Sequence, residues 1–219
     1  MTELRTTDIS YGEDYWNTFD GGLGYQDSVV WQDTAYVVKD LFGYDVSGTD
    51  LDRLTVLDVG CARGYLVKHL RNRGMDTWGC DVSVWALCNP DPDSGEFLRF
   101  YDLTSGDAPH WEAEYFDRVV CLETMEHIPE SSVDLAFSTV RDLMKPGALG
   151  FFAIRTEDQP GWESDPTHIC IKSREWWWRK FLSLGFKIRD DLAGRVLESR
   201  PFKGHNGIVC VEKIGDAGE

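Results

Sequence analysis

The chain has 219 residues, 42% of them apolar, which is enough to build one hydrophobic core for a whole domain. With 38 acidic against 22 basic side chains it carries a net charge of −16, a field that repels polyanions and argues against nucleic acid or an anionic membrane surface as a partner. No stretch approaches the ~20 apolar residues of a membrane span, MTELRTTDIS lacks the basic-then-apolar order of a signal peptide, and the six cysteines (61, 80, 88, 121, 170, 210) form no C-x-x-C pair, so a cytoplasmic protein with buried, reduced thiols is expected.

The first 50 residues are crowded with aromatics (Tyr11, Tyr15, Trp16, Phe19, Tyr25, Trp31, Tyr36) and contain a predicted helix from Asp27 to Phe42, which reads as a helical cover or lid on a core spanning 51–219. From residue 54 strand and helix signals alternate. Leu54 to Asp58 is a short apolar run ending at Gly60, and Gly64 to Arg73 carries Leu66, Val67 and Leu70 at helical spacing before Gly74 stops it. Thr77 to Asp81 gives a second strand, Ser83 caps a short helix, and Glu96 to Asp102 gives a third strand.

Phe116 to Leu122 is a fourth strand, whose unbroken apolar run suits a centre buried on both faces. In the next helix Val133, Ala136, Phe137, Val140 and Met144 recur at three- and four-residue spacing, and Lys145-Pro146-Gly147 ends the pattern. Leu149 to Ile154 reads as strand five and Arg174 to Leu184 as a helix. Phe186 to Arg189 and Ile208 to Lys213 read as two closing strands with no helix between them, 190–207 being a Gly-, Arg- and Asp-rich excursion. The fold expected is α/β: a Rossmann-like, seven-stranded, mostly parallel sheet with an antiparallel edge hairpin, helices on both faces and the N-terminal helical lid.

In such a sheet a ligand lies beyond the carboxyl ends of the strands, so strand-end residues are the candidates for contact. Strand one runs into LDVGCARG, where Gly60 permits a tight turn and Gly64 lets the next helix pack closely. Asp81, 21 residues after Gly60, is placed to accept hydrogen bonds from ribose hydroxyls. A nicotinamide fingerprint needs glycines at 60, 62 and 65, but the chain has Ala62 and Tyr65, which argues against a dinucleotide reductase.

Taken in order, VLDVGCARG, GCDVS, YDLTS, FDRVVCLETMEHIPE and LMKPGALGFFAI resemble the successive motifs of the class I S-adenosylmethionine-dependent methyltransferases, from about residue 54 to the end. The resemblance implies S-adenosylmethionine as cofactor. It implies that Asp58 orders the glycine loop, that Gly60, Cys61 and Gly64 approach the methionine portion, that Asp81 holds the ribose with Val82 against the adenine, that Asp102 and Leu103 meet the adenine ring, and that Leu122 lines the cleft at the sulfonium. No metal is implied.

A general base is useful if the acceptor is a hydroxyl or an acidic carbon, which directs attention to the histidines. His168, in a polar loop after strand five, is a candidate base or substrate contact, or else a turn residue bonded to Asp165; His127, after strand four, is a catalytic candidate that also recurs as a structural element in the family. His69 reads as exposed. Glu123 and Glu126 read as acidic candidates, or as solvated or helix-terminal charges. Tyr15 is the expected lid contact, and Trp176, Trp177 and Trp178, about 100° apart on a helix, cannot share one face as a cage. A small-molecule acceptor is expected: the segment D-x-T-H-I at 165–169 and W-x-x-x-F-x-x-x-G-F at 177–186 resemble the family's small-molecule branch, and strand four lacks an Asn-Pro-Pro-Tyr-type tetrapeptide. The rival readings are a non-catalytic S-adenosylmethionine-binding partner domain and a protein or RNA methyltransferase.

Overall fold

The computed structural model describes residues 11–22, 25–43 and 54–215. Among them seven strands form one sheet: β1 (Thr55–Val59), β2 (Asp76–Asp81), β3 (Leu98–Phe100), β4 (Phe116–Leu122), β5 (Met144–Ala153), β6 (Phe186–Ile188) and β7 (Ile208–Lys213). The spatial order is β3-β2-β1-β4-β5-β7-β6, with β1 to β5 mutually parallel and β7 antiparallel to both of its neighbours. The helices are α1 (Glu13–Gly22), α2 (Val29–Gly43), α3 (Tyr65–Arg71), α4 (Val84–Cys88), α5 (Val133–Leu143), α6 (Arg174–Ser183) and α7 (Asp190–Leu197).

Because side chains alternate along a strand, each central strand feeds two cores. Leu57, Val59, Val119, Cys121 and Phe152 face one layer with Phe137 of α5 and Trp177 and Phe181 of α6. Val56, Val120 and Phe151 face the other, with Phe42 of α2, Leu66 and Leu70 of α3, and Leu192 and Val196 of α7. Each fully buried aromatic or aliphatic side chain contributes about 1.5–3 kcal/mol through removal from water, which is why the strands read as continuous apolar runs. The chain builds outward from β1 through β2 to β3, then returns to add β4 and β5 on the other side, so the strand order reverses between β1 and β4. That reversal leaves a crevice at the carboxyl ends.

Several expectations need correction. A helix does lie between the last two strands: in α7 Leu192, Ala193 and Val196 are buried, while Asp190 and Asp191 in the first turn and Gly194 hid the apolar stripe. The closing pair is antiparallel, yet β7 is inserted between β5 and β6, which leaves β6 at the edge. At Lys145-Pro146-Gly147 the chain is already in β5, which begins at Met144. β3 ends at Phe100, so Asp102 stands in the turn beyond it. His69 is buried at 7% exposure, its Nε2 2.7 Å from Asp27 Oδ1. Cys61, Cys80, Cys121, Cys170 and Cys210 are free and buried, and Cys88 is free and exposed. Of the predicted cover, residues 1–10, 23–24 and 44–50 lie outside the described residues, as do 51–53 and 216–219 of the core.

Candidate active site

The turn after β1 is shaped by close approach. Gly60 (φ +77°) and Gly64 (φ +81°) both adopt left-handed backbone, and a Cβ on Gly60 would fall 2.1 Å from Thr124 Oγ1. The Gly60 and Cys61 amides donate to Cys80 O at 2.8 and 3.0 Å, fastening the loop to β2. Cys61 packs with Val67 and Leu98, and burial drives its thiol pKa well up, so it is a structural thiol rather than a nucleophile. Asp58 is buried, and burial together with the charge of Asp81 lifts its carboxyl to about 8.

Asp81 ends β2 at the floor of the cleft. Its Oδ2 accepts from Ala62 N at 2.7 Å and its Oδ1 from Ser83 N at 2.7 Å, so one carboxylate joins the β1 loop to the start of α4. Burial raises its pKa against the pull of those amides. Ser83 caps α4 by accepting from Ala86 N, donates to Tyr11 O at 2.7 Å, and accepts from Trp16 Nε1 at 3.1 Å. The N-terminal aromatics are thereby seated directly on the strand-two tip. Beyond β3, Asp102 Oδ1 accepts from Thr104 N and Thr104 Oγ1 at 2.8 and 2.7 Å, and Leu103 follows it on the cleft wall.

At the end of β4 the chain turns sharply, with Glu123 in left-handed backbone (φ +50°). Glu123 Oε2 accepts from Arg155 Nε at 2.7 Å and Oε1 from His205 Nε2 at 2.5 Å. Burial pulls the Glu123 pKa up, but the His205 bond and the Arg155 charge hold it below the usual range. A short 3-10 turn, Met125–His127, places Glu126 fully buried beneath it. Glu126 Oε1 accepts from Arg155 N at 3.2 Å, and its carboxyl pKa is driven well up by burial and the nearby Glu123 charge. Glu126 is therefore not a solvated charge, whereas Glu123 keeps part of its side chain exposed on the cleft wall while Arg155 and His205 hold its carboxylate.

The loop after β5 closes the same end. Its backbone is pinned by Ile169 N and Cys170 N donating to Glu126 O at 3.1 and 2.9 Å. Asp165 Oδ1 accepts from Thr167 N at 2.8 Å and from Thr167 Oγ1, and Thr167 Oγ1 lies 2.9 Å from His127 Nδ1. Tyr15 OH donates to Asp165 Oδ2 at 3.1 Å. The His127 and His168 rings stand 4.8 Å apart, and Tyr11 meets His127 edge-on at 5.9 Å. Burial lowers the His127 imidazole to about 4, with His168 adding to the shift, so this ring is neutral at neutral pH.

Together these elements line one open cleft at the carboxyl ends of β1, β2, β3 and β4, the usual place for a ligand in such a sheet. Of the residues singled out in the sequence, Gly60, Asp81, Val82, Asp102, Leu103, His127 and Tyr15 line it. Asp58, Cys61, Gly64, Leu122 and His168 are not on its wall: Leu122 packs towards the α2, α3 and α7 layer, and His168 sits behind His127, its Nε2 3.9 Å from Asp165 Oδ2. Thr124 and Arg155 carried no sequence signal, and Thr167 appeared only as the threonine of D-x-T-H-I, its contact with His127 lying 40 positions away.

A methyltransferase-domain family model matches residues 32–190, well over half of the chain. A ubiquinone biosynthesis O-methyltransferase of Paraburkholderia xenovorans is 31% identical over 102 residues, which is 45% of this chain and 43% of the relative; the chain thus matches under half the length of that curated relative. Among solved structures, the CurJ carbon methyltransferase has a TM-score of 0.61 at 14% identity, covering 87% of this chain and 57% of that one. A S-adenosylmethionine-dependent methyltransferase from Archaeoglobus fulgidus has a TM-score of 0.60 at 16% identity, covering 84% and 94%. At these identities the structural neighbours speak for the fold. The family match, joined to the sheet order and the cleft at its reversal point, makes the chain a member of the class I S-adenosylmethionine-dependent methyltransferase family, whose cofactor is S-adenosylmethionine.

Proposed function

We propose that this chain transfers a methyl group from S-adenosylmethionine to a small-molecule acceptor. The observation that carries the reading is the convergence on one cleft of a left-handed glycine turn, a half-buried carboxylate at the tip of β2 and apolar Val82 and Leu103. These residues fit a nucleoside: Asp81 would hold the ribose, Val82, Asp102 and Leu103 the adenine, and the Gly60 turn the methionine portion, with Asp58 and Gly64 shaping that turn. When bound, the cofactor supplies an electrophilic methyl on a sulfonium. The chain's own contribution is to align the acceptor and to exclude water.

For the acceptor, Tyr11, Tyr15 and Trp16 roof the cleft, and His127 lies on its wall with His168 behind it. A cleft roofed by these aromatic side chains suits a metabolite better than a folded macromolecule, and the net charge of −16 disfavours RNA. The curated relative is named for O-methylation in ubiquinone biosynthesis, which supports an oxygen acceptor and a biosynthetic tailoring role. Residues 11–22 act as a cover on a single core domain, an arrangement supported by Trp16 and Tyr15 of α1 resting on Ser83 and Asp165, whereas α2, also expected in the cover, packs into the core layer with α3 and α7. Among the described residues no helix is long and apolar enough to cross a membrane; five free buried thiols support a reducing, cytoplasmic setting. The test is calorimetric titration with S-adenosylmethionine and its demethylated product, followed by methyl-labelled cofactor offered to metabolite, protein and RNA fractions. Label in the metabolite fraction supports the reading, and no heat with either ligand ends it.

A further inference from the structure

Glu126, His127 and His168 each bring one potential ligand atom within 4.8 Å of the other two. They are assembled from two separate segments. The 3-10 turn after β4 supplies Glu126 and His127, and the loop after β5 supplies His168, held in register by the Ile169 and Cys170 amides on Glu126 O. At ~2.1 Å per bond, two atoms on one metal stand roughly 3–4 Å apart, so about an ångström of closure completes the set.

Two details point to a cation. The first is Glu126 Oε2, which is buried and has no hydrogen-bond partner, whereas Oε1 takes the Arg155 amide. A fully buried carboxylate oxygen without a donor, on a side chain clustered with two imidazoles, is missing a positive partner. The second is the tautomer of His127. The single Thr167 hydroxyl proton is given to Asp165 Oδ1, so Thr167 Oγ1 must accept from His127 Nδ1–H. That leaves His127 Nε2 as a bare lone pair. Fixing a ring through its other nitrogen is how proteins present imidazole to a metal.

We infer that Glu126, His127 and His168 form a binding site for one divalent transition ion, whose remaining coordination positions take an oxygen of the acceptor. Two imidazoles with one carboxylate suit Zn²⁺-class ions rather than Mg²⁺ or Ca²⁺, which prefer all-oxygen sets. The acceptor's part in this rests on the methyl-transfer reading; the ion site itself stands on the geometry alone.

The test uses the full chain stripped with chelator and titrated with Co²⁺, whose visible absorption reports coordination by protein ligands. One Co²⁺ per chain, displaced by Zn²⁺ and indifferent to excess Mg²⁺, is expected. Thr167→Val, which removes the hydroxyl that orients His127 together with its bond to Asp165 Oδ1, should weaken Co²⁺ binding by roughly 10- to 100-fold, and His168→Ala by more. Cofactor heat in each variant confirms that it is folded, and Glu126→Gln serves as a near-isosteric second variant if His168→Ala is not. Absent Co²⁺ bands, or binding unchanged in folded His168→Ala or Glu126→Gln, overturns the site. Cofactor heat without metal binding removes the ion site alone, while stoichiometric Co²⁺ without cofactor heat removes the methyl-transfer reading alone.

Discussion

Tyr15 and Asp165, 150 positions apart in sequence, meet through a hydrogen bond of 3.1 Å from the phenol to Oδ2. The same carboxylate takes the Thr167 amide and hydroxyl, so one side chain joins the N-terminal cover to the loop carrying His168. Tyr15→Phe keeps the ring packing against Trp16 and removes the hydroxyl that makes this link. A hydrogen bond to a charged group is worth about 1.5–3 kcal/mol, and the acceptor KM should rise by roughly tenfold while the cofactor Kd moves less. Steady-state kinetics with both substrates varied decide it; an unchanged acceptor KM would show that the cover does not act through this bond.

Asp81→Ala removes the acceptor for both the Ala62 and the Ser83 amides and leaves those donors unpaired at the cleft floor. Cofactor affinity should fall by at least about tenfold, with a loss of roughly 1–3 kcal/mol in stability from the orphaned amides. Calorimetry and urea unfolding separate the two effects. Wild-type affinity in the variant would remove the ribose assignment.

Gly60→Ala forces a Cβ to within 2.1 Å of Thr124 Oγ1 and strains a backbone with φ +77°. The left-handed conformation alone costs ~1 kcal/mol, and the clash adds to it by displacing the turn. A fall of several degrees in Tm is expected, together with weakened cofactor binding. Because Thr124 Cβ itself would lie 2.9 Å away, Thr124→Ala should restore only part of the loss, as a double-mutant cycle can show.

Asp58 makes a pH prediction. Burial and the Asp81 charge raise its folded pKa to about 8, from 3.8. The folded state therefore binds a proton that the unfolded chain has released throughout the interval between those values, and stability contributed by this group declines as pH rises from about 4 to 8. Asp58→Asn removes this titration. Urea midpoints at pH 5, 6.5 and 8 should fall less steeply in the variant than in the wild type. Parallel slopes would mean that Asp58 is already ionised in the native protein.

The strands were legible because two-sided burial demands unbroken apolar runs such as Val119 to Leu122, and the helices α3, α5 and α6 because their apolar spacing matches the helical period. α7 was not, since eight residues with Gly194 inside and two aspartates at the start present too short a stripe. Asp81 could be picked out from topology, as the tip of the strand next to β1, whereas Val82, Asp102 and Leu103 were indicated by the motif resemblance; all four line the cleft. Leu122 could not be placed, because a one-residue change of face decides between cleft and core.

What the order of residues settled without any coordinates was the sheet, its covering helices other than α7 and the edge of the crevice, all of which follow from short-range periodicity and turn chemistry. The polar wiring came only from the folded chain. Glu123 meets His205 from 82 positions away, Thr167 meets His127 from 40, and Glu126 turns from a surface acid into a buried one because the loop after β5 lands on it. Such pairings depend on which loops desolvate each other, and no local pattern encodes that, since a charged residue in a loop has the same sequence signature whether water or another side chain answers it.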